Sequence, residues 1–297
     1  MFFVKLSYWE KGRTRVKKIK PYISDLITEF KEDNVPLLAA AQAYYYILSI
    51  FPLLIFALTI LPFLNLNPNS VVSFIGTIAP SDTASLFEEN ITTLVQEPRG
   101  ILFVVSLLGA LWSASNGINA FIKSSNEAYD VEESRSFIKV RLIAIALTIC
   151  MILTIVVALV LPIFGNVIIS MVSSILGLTA QTQILFQVLR WAVAVIVMTL
   201  MLLLLYRFAP NKTLKWKEIL VGSLTAAILW QIVSLGFSFY VSNFGNYSAT
   251  YGSLGGVIIL LLWFFLTGLV LMIGAEMNVI FHRRKTGTTR KRNSARG

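Results

Sequence analysis

The chain has 297 residues, 56% of them hydrophobic and only 13% charged, with a mean hydropathy of +0.75 and a formal net charge of +10. This excludes an ordinary soluble globular domain, where about a quarter of residues are charged. Nor does the basic excess point to nucleic acid. All Lys and Arg except Arg99 and Arg190 lie in segments flanking long apolar runs, where anionic lipid and the positive-inside bias account for them.

Residues 1–36 form a basic segment expected on the cytoplasmic side, with Lys5, Lys11, Arg13, Arg15, Lys17, Lys18, Lys20 and Lys31. Met1 to Lys20 lacks the apolar core of a cleavable leader, so the first spanning helix is expected to act as an uncleaved signal. Tyr22, Ile23, Leu26, Ile27 and Phe30 recur at helical spacing, with Asp25, Glu29, Lys31 and Glu32 opposite them. The pattern predicts an amphipathic helix on the inner membrane surface; a helix packed on cytoplasmic loops fits it as well.

Six apolar runs follow: Leu37 to Leu64, Ile101 to Ile122, Leu142 to Phe164, Ile184 to Tyr206, Ile219 to Val241 and Leu254 to Phe281. Each can cross roughly 30 Å of hydrocarbon as a helix rising about 1.5 Å per residue. Continuous runs exclude a barrel, whose strands alternate, and backbone polar groups in lipid require one closed architecture or the other. The expected fold is an all-α integral membrane protein. It has one six-helix transmembrane domain (37–281), an N-terminal interfacial helix and a small external helical segment within 65–100.

Loop charge sets the expected orientation. The 65–100 segment carries Asp82, Glu88, Glu89 and Glu97 against Arg99 and is expected outside, its helix resting on the bundle as a cover. Lys123, Arg135, Lys139 and Arg141, then Arg207, Lys212, Lys215 and Lys217, place the next basic connections inside. Residues 165–183 are uncharged and are expected in the outer interface. The basic tail 282–297 reads as disordered. Both termini are then cytoplasmic, in a bacterial inner membrane.

Polar residues inside the runs point to the bundle interior. In the first run Gln42, Tyr45, Tyr46 and Ser49 share a face, and Pro52 predicts a kink one turn on. In the second, Trp112, Asn116, Asn119 and Lys123 form a stripe descending to the cytoplasm. It reads equally as a hydrated groove for a polar head group, with Lys123 offered to phosphate, or as interhelical packing with Lys123 snorkelling. In the fifth run Ala227, Gln231, Ser234 and Ser238 read first as a packing seam, with Gln231 the residue there nearest a ligand. Arg190 is a candidate head-group contact. Glu276, deep in the last run, has two readings, pairing with a loop cation or coupling a proton. It should not be joined with Asn278, which falls on a different helix face. The connection Ser242 to Gly256, with Tyr247, Tyr251 and Gly252, is a candidate external lip. Cys150 alone cannot form an intrachain disulfide and reads as apolar filler.

Four stretches resemble the YihY/BrkB family of bacterial inner-membrane proteins, formerly labelled ribonuclease BN. They are Ala39 to Leu54 (AAAQAYYYILSIFPLL), Ala110 to Val131 (ALWSASNGINAFIKSSNEAYDV), Tyr206 to Trp216 (YRFAPNKTLKW) and Tyr240 to Asn278, with its Y-x-S-N-F-G…Y-G-S-L-G…G-A-E-x-N pattern. The resemblance implies a polytopic membrane protein with cytoplasmic termini, linked in some members to envelope integrity or virulence. The ribonuclease label finds no support in the residues. A metal-dependent nuclease needs converging His and Asp ligands, whereas this chain has only His282 and no clustered carboxylates in its cytoplasmic segments.

The sequence therefore predicts no enzyme, no cofactor and no metal. Its expected partners are membrane lipids, with no nucleic acid; self-association is compatible, and no protein partner is named by the residues. The leading expectation is binding or translocation of lipid or a lipid-linked molecule, in a sideways-open groove lined by the first, second, fifth and sixth spanning helices. A scaffold recruiting partners through basic termini is the alternative. Scarce intramembrane charge argues against an ion channel, and no Walker-type loop supplies ATP as a driver.

Overall fold

The computed structural model describes residues 21–60, 100–154, 180–244 and 254–288. They form α1 (21–32), α2 (Val35–Ile60), α3 (Gly100–Ala128), α4 (Phe137–Thr154), α5 (Ala180–Phe208), α6 (Trp216–Phe244) and α7 (Leu254–Thr286), with no strand among them. Five of these helices are long and apolar enough to cross a membrane: those beginning at Val35, Gly100, Phe137, Trp216 and Leu254. The expected fourth run falls in α5, whose apolar described part is Val195–Phe208. The external cover, residues 165–179 of the uncharged connection, residues 1–20 and the lip residues Tyr247, Tyr251 and Gly252 lie outside the described residues, while residues 180–183 open α5.

Local chemistry sets the breaks. Pro21 opens α1, where its missing N–H costs nothing. Asn34 adopts a left-handed φ of 50° between α1 and α2. Asp130, at φ 51°, ends α3; its amide bonds to Glu127 O, and Val131 N to Asn126 O at 3.0 Å, the paired bonds of a Schellman terminus. Ser136 Oγ accepts from Lys139 N and caps α4. Glu218 reaches back to Lys215 N at 3.2 Å, the carboxylate half of a capping box at α6.

α7 is the centre of the bundle, packed against α2, α3 and α6, while α2 also packs on α3 and α5 on α6. The core gathers Phe121, Ile122, Leu205, Tyr206, Ile219, Ala226, Met272 and Ala275. Large apolar side chains face outward elsewhere, Ile101, Val105 and Leu108 on α3 and Phe239 on α6 among them. Patches of that kind need an apolar solvent.

One feature differs from the sequence expectation. The last helix continues past Phe281 to Thr286, because Arg283, Arg284 and Lys285 find carboxylate partners instead of dispersing into a tail. α2 contains Pro52 within one helix, and Ser49 Oγ donates to Tyr46 O at 2.6 Å.

Candidate functional site

Hydrogen bonds stitch six helix ends into one polar end of the bundle. The C-terminus of α3 supplies Asn126, whose side chain donates to Glu133 at 2.9 Å and accepts from Asn211 N at 2.7 Å. Arg135, before α4, holds Glu133 at 2.6 Å and donates to Phe208 O and Ala209 O at the end of α5. Glu218, in the first turn of α6, takes His282 and Lys285 from α7 at 3.0 and 3.3 Å. Arg283 of α7 donates to Glu29 of α1 at 2.6 Å and to Asp130. The starts of α2, α4 and α6 and the ends of α3, α5 and α7 thus share one end, and both termini of the described chain meet there.

Charge in this end is well matched. Arg135 beside Glu133 holds that carboxyl at about 2, against an ordinary 4.5. Burial lowers the Lys212 ammonium, with Arg283 lowering it further and Asp130 opposing.

The groove residues inferred from sequence are distributed among three places. Gln42 and Tyr46 are buried between α2 and its neighbours: Tyr46 donates to Gln42 Oε1 at 3.4 Å, stacks edge-on against Phe264 of α7, and fills the space a side chain at Gly117 of α3 would need. Tyr45 is exposed and Ser49 half-buried. That section is packed shut, so the expected continuous groove along α2, α3, α6 and α7 is not formed there.

The α3 stripe splits. Arg141 of α4 lies with its guanidinium 3.5 Å from the Trp112 ring centre, donating to Asn116 Oδ1 at 2.7 Å and Trp112 O at 2.9 Å. Asn119 is half-buried and Lys123 exposed. The sequence reading used Arg141 only as a marker of orientation. Its spacing from Trp112 and Asn116 carries no helix periodicity, so nothing local could have paired them.

The third place is α6 and α7. Ala227 is buried as the seam reading expects, and Gln231 is half-buried. Beyond them the helices part around an open-sided cavity of about 480 Å³, lined by Ser234, Phe237, Ser238, Gly256, Ile259, Leu260 and Trp263. At the other end of the pair Gly222 touches α7, its N–H donating to Asn278 Oδ1 at 2.7 Å. Arg190 lies on α5, with its side chain outside the described residues.

Among the described residues no loop cation pairs with Glu276. It is fully buried, apart from Asn278 as helix geometry requires, and turned toward Asp33 and Glu29 at the α1–α2 turn. The sequence reading found no clustered carboxylates in these segments. The fold makes such a cluster from residues far apart in the chain, which spacing does not reveal.

These features define a polytopic all-α membrane protein with one polar end and a side cavity in its apolar body. The chain belongs to the virulence factor BrkB family, whose profile matches residues 26–297. It is 43% identical over 264 residues to the ribonuclease-like protein YfkH of Bacillus subtilis, covering 89% of this chain and 96% of that protein. UPF0761 membrane proteins match over shorter stretches. That of Tolumonas auensis is 40% identical over 75 residues, 25% of each chain, and that of Photobacterium profundum 36% over 101 residues, 34% of this chain and 32% of the other. No solved structure matches.

Proposed function

We propose that this protein is a non-enzymatic component of the bacterial cell membrane that binds or translocates lipid or a lipid-linked molecule, with an acyl chain entering between α6 and α7. The observation that carries this reading is the open-sided cavity of about 480 Å³ between α6 and α7, lined mostly by apolar side chains. It falls within the usual ligand-site range of about 300–1,000 Å³, and its apolar lining with two serine hydroxyls suits hydrocarbon with a polar attachment.

A second feature fits a head group. Arg141 is buried, and its Nε makes no hydrogen bond while the rest of the guanidinium is fixed by Trp112 and Asn116. A fixed guanidinium with a spare donor matches a phosphate oxygen. The polar end, with Lys123, Lys139, Lys215 and Lys217, is assigned to the cytoplasm by the positive-inside bias. Recruitment of partners by the C-terminal basic run is less favoured, since Arg283, Arg284 and Lys285 are engaged within the chain.

The test is photocrosslinking in nanodiscs with a phospholipid carrying a diazirine on one acyl chain, read by peptide mass spectrometry. Adducts concentrated on Phe237, Leu260 and Trp263, and removed by Ser238→Trp, support the proposal. Adducts spread evenly over outward residues such as Val105, Leu108 and Phe239 sink it.

A further inference from the structure

Three carboxylates converge at the junction of α1, α2 and α7. One oxygen each from Glu29, Asp33 and Glu276 lies within 4.8 Å of the other two. Asp33 and Glu276 are buried and Glu29 is half-buried.

The guanidinium that serves the cluster, Arg283, is bound to Glu29 at 2.6 Å and shared with Asp130.

Two further observations lie beyond the acidic cluster itself. Glu276 has no exposed surface, and among the described residues no N–H or hydroxyl donates to either of its carboxylate oxygens, whose close neighbour is the Asp33 carboxyl. Tyr129, from the end of α3, is also buried, with its hydroxyl beside Asn278 and within electrostatic reach of Glu276. A buried carboxylate that accepts from no donor and a buried hydroxyl thus lie near one another.

We propose that Glu29, Asp33 and Glu276, with the Tyr129 hydroxyl beside them, bind one hard divalent cation such as Ca²⁺, which clamps the α1–α2 turn to the centre of α7. The ligand atoms are all oxygen, the donor set of Ca²⁺ and Mg²⁺ and not of zinc. Two oxygens on one Ca²⁺ stand at most about 5 Å apart, twice the metal–oxygen distance. Oxygens that all lie within 4.8 Å of one another are within that reach. The sequence expectation of no metal followed from a single His and from carboxylates that do not cluster along the chain, and a cluster assembled by the fold from distant segments leaves no such mark in the sequence. Burial also separates this site from nuclease chemistry, since a polynucleotide has no path to Glu276. The inference is independent of where lipid binds.

The full-length protein, in nanodiscs of zwitterionic phosphatidylcholine to avoid binding to anionic lipid, is stripped with EDTA and equilibrated with CaCl2. KCl at matched ionic strength is the control. Retained calcium is measured by inductively coupled plasma mass spectrometry and thermal unfolding by tryptophan emission. The proposal expects one calcium per chain and a saturable rise in Tm with CaCl2 that KCl does not give. It also expects Glu276→Gln and Asp33→Asn each to weaken half-saturation by about tenfold or more. If Glu276→Gln fails to fold, Asp33→Asn and the wild-type binding stoichiometry decide. Wild-type protein that retains no calcium, a Tm that rises only on acidification, as when the carboxyls share a proton, or binding unchanged in the folded variants would overturn it.

Discussion

Arg283 of α7 and Glu29 of α1 meet at 2.6 Å although 254 positions separate them in the sequence. With Arg284 on Asp25 and stacked over Tyr22, this contact ties the first described helix to the last. The ends of the described chain are therefore held together by charge, and helix α1 meets α7 through Asp25 and Glu29.

Replacing Arg283 with Gln should free α1. The pair is mostly shielded, with side-chain exposures of 16% and 12%, so its loss should cost about 1–3 kcal/mol, below the value for a fully buried pair. Hydrogen exchange should accelerate across 21–32 and spare the middle of α6. Unchanged exchange in α1 would show that the contact holds nothing.

Gly222 is where α6 comes closest to α7. A Cβ there would run into the Gly274 carbonyl and the Asn278 side chain that accepts the Gly222 N–H. Gly222→Ala should destabilise by about 1–3 kcal/mol, because backbone on α7 cannot yield as a flexible side chain would. Thermal unfolding in a fixed detergent measures it, and an unaltered Tm would contradict the close approach.

Glu133 gives the loop before α4 a defined acid sensitivity. Its folded carboxyl, held at about 2 chiefly by Arg135, lies below the ordinary 4.5, so its stabilising effect is complete above about pH 4.5 and fades as pH falls toward 2. Solvent reaches the pair, which keeps the effect modest. Between pH 5.5 and 3 the wild-type Tm should fall further than that of Glu133→Gln. Parallel profiles would show that the ion pair does not form.

Arg141 should be coupled energetically to Asn116. Lys at position 141 keeps the charge but not the fork that serves Asn116 Oδ1 and Trp112 O together. In a double-mutant cycle, Arg141→Lys and Asn116→Ala should be non-additive by about 0.5–2 kcal/mol in unfolding free energy. Strict additivity would mean that the two side chains act separately.

Much of the architecture is legible in the sequence because lipid imposes it locally: each spanning run must satisfy its own backbone, so length and hydropathy mark it without knowledge of its neighbours. Helix α1 was legible for the same reason, from the spacing of Ile23, Leu26, Ile27 and Phe30 against Asp25 and Glu29. The candidate sites were not. Arg141 over Trp112, Arg283 on Glu29 and Glu276 against Asp33 are meetings between helices, and the 3.6-residue period says which face a residue takes but not which helix that face meets. The leading expectation gathers the polar stripes into one groove, with packing as the other reading, and the fold splits them. Gln42 and Tyr46 close a seam, Trp112 and Asn116 hold an arginine, and Ser234 and Ser238 border an open-sided cavity.

Helix α1 directs Asp25 and Glu29 toward the bundle beside Phe30 and leaves Ile23 and Ile27 bare, 53% and 52% exposed. It thus carries salt on its inner side and an oily flank on its outer one. Beside a membrane-embedded body, the oily flank has the bilayer's own surface to settle on. Ionic strength would then tug at one side of this helix and lipid composition at the other, making its seat responsive to both.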